Sequence, residues 1–78
     1  MSGHADEVRE LVARQLGRHD VGLDDRLIED LGADSIDAVT LVAIVEETYG
    51  IRVDEERVSL LRTVRDLAEE AVRLQGGG

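Results

Sequence analysis

Ser35 is the residue whose type and position are best suited to chemistry. It lies in the segment LGADSID, residues 31–37, directly ahead of a helical apolar pattern. A helix start presents free backbone N–H groups at the positive end of the helix dipole, and both favour negative charge. A hydroxyl placed there can carry an anionic adduct. We therefore predict that Ser35 is a point of attachment.

Catalysis by this serine has no support in the sequence. A serine nucleophile needs a base within hydrogen-bond reach and a group that orients the base. The only histidines are His4, in a segment that we expect to fray, and His19, in a loop without a Gly-x-Ser-x-Gly elbow. We expect no catalytic residue and no enzymatic activity.

No metal site is expected either. The acidic stretch 20–25 lacks an oxygen ligand at the third position and a glycine at the sixth position of an EF-hand loop. Leu31 stands where the twelfth position needs glutamate. Because the chain has no cysteine, it also cannot form a disulfide or a thiolate zinc site.

The first helix and the connection after it must bring the chain to Ser35. Apolar residues at helical spacing predict a helix over roughly residues 5–16, with Gly17 placed to end it. Residues 18–34 then form a long connection. Because a loose loop of this length is unusual in a small domain, we expect its apolar residues to fix it to the core. These residues are Leu23, Leu27, Ile28 and Leu31.

The second helix is predicted to begin at Ser35 and to end near Tyr49, before Gly50. Asp34 is its expected N-cap, and Asp37 completes a capping box in which aspartate replaces glutamate. The expected buried face consists of Ala38, Leu41, Val42, Val45 and Tyr49. A second stripe, which starts beside Ser35 and has no evident need for burial, consists of Ile36, Val39, Ala43, Glu46 and Glu47.

Two further helices complete the predicted fold. Asp54 and two glutamates open a short helix that ends near Leu60, and Thr63 and Asp66 have capping-box spacing before a fourth helix. Its apolar residues are Val64, Leu67, Ala68, Ala71, Val72 and Leu74. We predict an all-α fold, a small antiparallel four-helix bundle with three longer helices, one short third helix and a long loop between helices 1 and 2.

Composition limits the function classes. The 78 residues are enough for one small domain, which we place at residues 1–75, and residues 76–78 are expected to be a flexible glycine tail. Aromatic residues are 1% of the chain and proline is absent, which argues against β-rich folds and against modules that stack nucleic-acid bases. No apolar run of membrane-spanning length and no signal-peptide pattern occur. We expect a cytoplasmic monomer.

Charge indicates the kind of partner. The net charge is −9, and residues 20–56 contain twelve acids but only two arginines. A negative surface repels nucleic-acid phosphates and anionic lipids. We therefore expect neither nucleic acid nor membrane as a partner, and instead expect proteins with basic surfaces.

A longer stretch around Ser35 adds a specific signal. Residues 27–51 read LIEDLGADSIDAVTLVAIVEETYGI. The pattern joins EDLGADS at 29–35 to Val39, to the Leu41-Val42 pair, to the Glu46-Glu47 pair and to the helix end at 49–51. In this order and spacing the stretch resembles the acyl carrier protein family. The flanking helices agree with the family more loosely.

This resemblance implies a cofactor and a function. A phosphopantetheinyl transferase would move the 4'-phosphopantetheine arm of coenzyme A onto Ser35, with magnesium, as a phosphodiester. The terminal thiol of the arm would hold acyl intermediates as thioesters. The carrier would shuttle them between the enzymes of polyketide or fatty acid biosynthesis. Partners of this kind include an acyltransferase, a ketosynthase or other biosynthetic enzymes with basic surfaces.

The resemblance also implies a recognition surface on the second helix. The family's partner-recognition positions correspond here to Asp34, Ile36, Asp37, Val39, Ala43, Glu46 and Glu47. Acyl chains are expected to slip between the helices. The residues expected around them are Leu41, Val42, Val45, Leu61 and Leu67.

Departures from the family pattern bear on the pathway. Ile36 replaces the leucine usual after the serine in fatty acid carriers, Thr40 stands where glutamate is frequent, and Ala43 replaces a larger apolar residue. These differences favour a discrete carrier of polyketide or other specialised synthesis, with fatty acid synthesis close behind. A peptidyl or aminoacyl carrier, and a non-carrier acidic protein-interaction module, are the alternatives.

Overall fold

The computed structural model describes residues 3–76. It contains four helices, which are α1 (Gly3–Leu16), α2 (Ser35–Tyr49), α3 (Glu55–Val58) and α4 (Val64–Gly76). Helices α1, α2 and α4 pack against one another. The predicted all-α fold, with a short third helix and a long loop before α2, is confirmed. None of the described helices is both long enough and apolar enough to cross a membrane.

The helix ends differ in detail from the predicted ones. His4, expected in a frayed segment, lies within α1, where its ring stacks on that of Tyr49 at a centroid distance of 4.5 Å. Helix α3 ends at Val58, two residues before Leu60. Helix α4 extends to Gly76, one residue into the expected tail, and residues 77–78 lie outside the described residues.

The core lies where α1, α2 and α4 meet. The largest fully buried side chains are those of Val8, Val12, Leu27, Leu41, Val64 and Leu67. On the predicted inner face of α2, Leu41, Val42 and Val45 are buried, and Tyr49 packs against the core from its edge. The helical period of the sequence therefore predicts correctly which side of α2 faces the core.

The long connection is fixed against the start of α4. The backbone N–H of Leu27 donates to the carbonyl of Arg62 at 2.8 Å, and the N–H of Arg65 donates to the carbonyl of Leu23 at 2.7 Å. Leu27 and Leu31 are buried as predicted, but the burial predicted for Ile28 is wrong, since its side chain is 53% exposed. The connection turns between Leu27 and Leu31, so that Ile28 falls on its outer side.

Helix α4 contains two residues whose exposure differs from what is usual for their type. Val72 is 51% exposed, because it follows the buried Ala71 and is rotated by about 100° toward solvent. Glu70, in contrast, is only 4% exposed. Its carboxylate accepts from Arg57 Nε at 2.6 Å and from Arg57 Nη2 at 2.8 Å. Arg73 Nη2 donates to the same carboxylate at 2.8 Å.

The Glu70 contacts predict how stability depends on pH. Hydrogen bonds from Arg57, then from Arg73, lower the pKa of Glu70 from 4.5 to about 2. The ionised carboxylate therefore stabilises the fold fully above pH 4.5, and this contribution is lost as pH falls from there toward 2. Urea unfolding over this pH range tests the prediction. The difference in the free energy of unfolding between the wild type and Glu70→Gln should become smaller as the pH falls. A separation that stays constant would contradict the prediction.

Candidate functional site

The N-terminus of α2 is built by the predicted capping box, which is confirmed. Asp34 has extended backbone angles, and its Oδ1 accepts from the backbone N–H of Asp37 at 2.8 Å. In return, Asp37 Oδ2 accepts from the backbone N–H of Asp34 at 3.3 Å. Ala38 is the first residue whose N–H is bonded within the helix, to the carbonyl of Asp34 at 3.0 Å. This arrangement fixes Ser35 as the first residue of the helix.

Ser35 itself is exposed and has hydrogen-bond donors beside it. Among residues 3–76, no acceptor is bonded to the backbone N–H groups of Ser35 and Ile36. The capping box has already occupied the N–H of Asp37. Two donors at the positive end of the helix dipole are therefore available to an anion attached to Ser35 Oγ. A phosphodiester fits this position.

A groove with a volume of about 890 Å³ begins at Ser35. One wall is α2, through Ala38, Val39 and Val42, and the opposite wall is α3 with the residue that follows it. Other lining residues come from the long connection, from the segment between α2 and α3, and from the segment before α4, namely Leu27, Ile28, Glu29, Val53, Leu61 and Arg62.

The residues that line the groove agree only in part with those predicted to surround an acyl chain. Of the five residues expected around such a chain, Val42 and Leu61 line the groove. Leu41, Val45 and Leu67 do not line it, and all three belong to the buried core. Sequence periodicity could identify apolar positions, but it could not tell which of them border a groove and which fill the core.

Most of the recognition residues predicted at the start and along α2 are exposed, whereas Asp37 and Glu46 are half-buried. Ile36 is 74% exposed and Val39 is 60% exposed, and Ala43 and Glu47 are also exposed. Glu46 is half-buried, and its Oε2 accepts from the backbone N–H of Val53 at 2.8 Å. Glu46 therefore also fixes the segment between α2 and α3.

The site lies in a region where negative charge is poorly compensated. Arg26 is paired with Asp30 at 3.2 Å, so one of the two arginines in residues 20–56 is already engaged. Within residues 3–76, none of the ion pairs includes Asp34, Asp37 or Glu47. Their carboxylates keep the field around Ser35 negative.

This charge predicts a salt effect on stability. Added salt screens repulsion among exposed carboxylates, so the melting temperature should rise by roughly 3–8 °C between low and moderate salt. Differential scanning calorimetry in NaCl measures this. A melting temperature that does not change with salt would show that repulsion does not limit stability.

Neither of the two histidines lies beside Ser35. His4 is hydrogen-bonded to Gln75 and stacked on Tyr49, and His19 is exposed in the long connection. Neither lines the groove that Ser35 lines. Within the described part of the chain there is also no group of three or more His, Asp or Glu residues placed to hold a metal ion.

Comparison with known proteins shows which family this chain resembles. The family model described as "Phosphopantetheine attachment site" matches residues 6–71. Relatives that are 40% and 41% identical to this chain are named acyl carrier proteins. The chain belongs to the acyl carrier protein family. Members of this family carry covalent 4'-phosphopantetheine, and this carrier is not a catalyst.

Sequence relatives agree with the family over most of the chain. The acyl carrier protein of Akkermansia muciniphila is 40% identical over 73 residues, which cover 91% of this chain and 91% of the relative. The acyl carrier protein of Campylobacter hominis is 41% identical over 64 residues, covering 80% and 81% of the two chains.

Solved structures match the fold. The crystal structure of the acyl carrier protein from Thermotoga maritima has a TM-score of 0.79 and 25% identity, covering 96% of this chain and 94% of that one. A chain in the structure of the ishigamide ketosynthase/chain length factor has a TM-score of 0.76 and 25% identity, covering 97% and 99%.

Proposed function

We propose that this carrier holds its phosphopantetheine arm on Ser35 and shuttles acyl intermediates between the enzymes of polyketide or fatty acid biosynthesis. The observation that supports this most strongly is the exposed Ser35 hydroxyl at the start of α2, with two unbonded N–H groups beside it and a groove beginning there. The thiol of the bound arm supplies the chemistry, since it holds acyl groups as thioesters.

Attachment requires help from another protein. Ser35 Oγ must lose its proton to form a phosphodiester, but neither histidine lines the groove at Ser35. The base that takes this proton, and the magnesium that neutralises the coenzyme A phosphates, would come with a phosphopantetheinyl transferase. As the Ser35 Oγ–phosphorus bond forms, the pyrophosphate bond of coenzyme A breaks and adenosine 3',5'-bisphosphate leaves. The contribution of this chain is to present the hydroxyl and to offer the N–H groups of Ser35 and Ile36 to the new phosphodiester.

A synthase that makes polyketides is the favoured setting. Ile36 and Ala43 depart from the usual fatty acid carrier pattern on the exposed face of α2. The likeness to a chain in the structure of a ketosynthase/chain length factor supports the same direction. Fatty acid synthesis is the second setting, and the cytoplasmic location and the monomeric state stay predictions.

Partner enzymes would bind the outer face of α2 with basic surfaces. The proposed contact residues are Asp34, Ile36, Asp37, Val39, Ala43, Glu46 and Glu47. Exposed Ile36 and Val39 supply an apolar centre, and the carboxylates form a charged rim. Such a surface gives fast, salt-sensitive association more than high affinity, which suits a carrier that must leave after each transfer.

Charge reversal on this face should slow loading. Glu47→Lys is expected to lower the kcat/KM of a phosphopantetheinyl transferase by roughly 3- to 10-fold at low salt, because a rim charge mainly affects the association rate. Glu69→Lys is the matched control, since Glu69 is equally exposed but lies on α4. Initial rates of coenzyme A consumption measure both. If kcat/KM falls equally in the two variants, α2 is not the recognition surface.

The proposed function as a whole is tested by loading. Apo protein incubated with coenzyme A, magnesium and a broad-specificity transferase should gain one phosphopantetheine per chain, observed by intact-mass spectrometry. A protein that stays unmodified under conditions that fully load a control carrier would contradict the proposal.

A further inference from the structure

Helix α3 is weakly supported for an element that forms a wall of the groove. It has only four residues, Glu55–Val58, none of which is buried, and its N-cap Asp54 makes no side-chain capping hydrogen bond. A single helical turn is not stable by itself in water. Val58 packs against the core from a half-buried position. Another contact must therefore hold α3 in place.

The Arg57–Glu70 pair supplies that contact. Two hydrogen bonds, of 2.6 and 2.8 Å, join the Arg57 guanidinium on α3 to the Glu70 carboxylate on α4. Within residues 3–76 it is the one ion pair that links α3 to another helix. The Glu70 side chain is 4% exposed and that of Arg57 is 38% exposed, so this bidentate pair is less screened than a pair of two exposed side chains.

Neither member of the pair touches the groove. Glu55, Val58 and Ser59 line it, whereas Arg57 and Glu70 do not. Any effect of the pair on the groove must therefore act through the position of α3. This separates a positioning role from direct contact with a bound chain.

We propose that the Arg57–Glu70 pair positions α3 and thereby sets the width of the groove beside Ser35, and with it the length of acyl chain that the carrier shelters. The pair fixes α3 to α4 on one side while the lining residues of α3 face α2 on the other. The acyl part of this inference rests on the proposed function. The positioning part does not, since it concerns the chain before any arm is attached.

Arg73 provides a matched control for a merely stabilising role. It also donates to the Glu70 carboxylate, at 2.8 and 3.4 Å, but it lies three residues away on the same helix. Arg57→Gln and Arg73→Gln each remove one positive charge and one partner of a buried carboxylate. Only Arg57→Gln removes the connection to α3.

The first measurement uses the apo protein. Amide hydrogen exchange followed by NMR reports on α3 through the N–H groups of Leu60 and Leu61, which donate to the carbonyls of Arg57 and Val58 at 2.9 and 3.1 Å. Arg57→Gln should accelerate exchange at these two amides about tenfold or more relative to Arg73→Gln, with similar rates elsewhere in both variants. Arg57→Lys, which keeps the charge but loses the bidentate geometry, should give an intermediate rate. Equal exchange in the Gln variants would overturn the positioning role.

The second measurement uses protein loaded with saturated chains from butanoyl to dodecanoyl. The gain in melting temperature on acylation should rise with chain length in the wild type and in Arg73→Gln, until the groove is filled. In Arg57→Gln the maximum should move to another length or disappear. If both variants keep the wild-type dependence, the groove-setting role is wrong even where exchange differs. If the wild type cannot be loaded, the proposed function fails, and the exchange data still decide the role of Arg57.

Discussion

Replacing Ser35 with alanine should abolish loading completely. In the proposed reaction the new bond to phosphorus forms at Ser35 Oγ, and alanine has no oxygen to offer. The capping box does not involve the Ser35 side chain, because it joins the Asp34 and Asp37 carboxylates to backbone N–H groups. The variant should therefore keep its helical circular dichroism and its melting temperature while its intact mass stays that of the apo chain.

Ser59 supplies the control for this result. It lines the same groove and is also exposed, but it follows α3 and has no helix start behind its hydroxyl. Ser59→Ala should load to completion like the wild type. If Ser35→Ala is loaded, or if Ser59→Ala keeps its fold but is not loaded, Ser35 is not the attachment residue.

Truncating Leu41 to alanine should remove much of the fold's stability. Leu41 is 1% exposed and lies at the middle of the inner face of α2. A cavity in a core of this size costs about 2–4 kcal/mol, a large share of the 5–15 kcal/mol typical of a domain. Urea unfolding followed by circular dichroism gives the free energies of unfolding.

Val39→Ala is the matched surface control on the same helix. The Val39 side chain is 60% exposed, so its truncation should change the free energy of unfolding by less than about 0.5 kcal/mol. If the two substitutions lower the free energy of unfolding by similar amounts, the predicted inner face of α2 is not the face that packs in the core.

Features that depend on neighbours in sequence were predictable. The capping box at Asp34, the helix start at Ser35 and the helix end at Gly50 follow from side-chain chemistry within a few residues, and the structure confirms each of them. Gly50 adopts the left-handed conformation, with φ of 65°, and its N–H donates to the carbonyl of Glu46. The candidate site is built largely of such local features, so sequence reasoning could identify its central residue.

Features that depend on contacts between distant segments were not predictable. Glu70 has the character of a surface residue of α4, and its contact with Arg57 on α3 joins segments that are not neighbours in sequence. Ile28 has the same apolar character as Leu27 and Leu31, but the turn of the connection directs it outward. The groove likewise depends on where α3 lies relative to α2, which no periodicity in one segment encodes.

The central claim, that Ser35 bears the arm, is tested most directly on protein isolated from its native host. Proteolytic digestion followed by tandem mass spectrometry should place one phosphopantetheine on the peptide that contains Ser35, with fragment ions that assign it to that residue. A bare Ser35 in cells whose other carrier proteins are modified, or an adduct assigned to any other residue, would contradict the account.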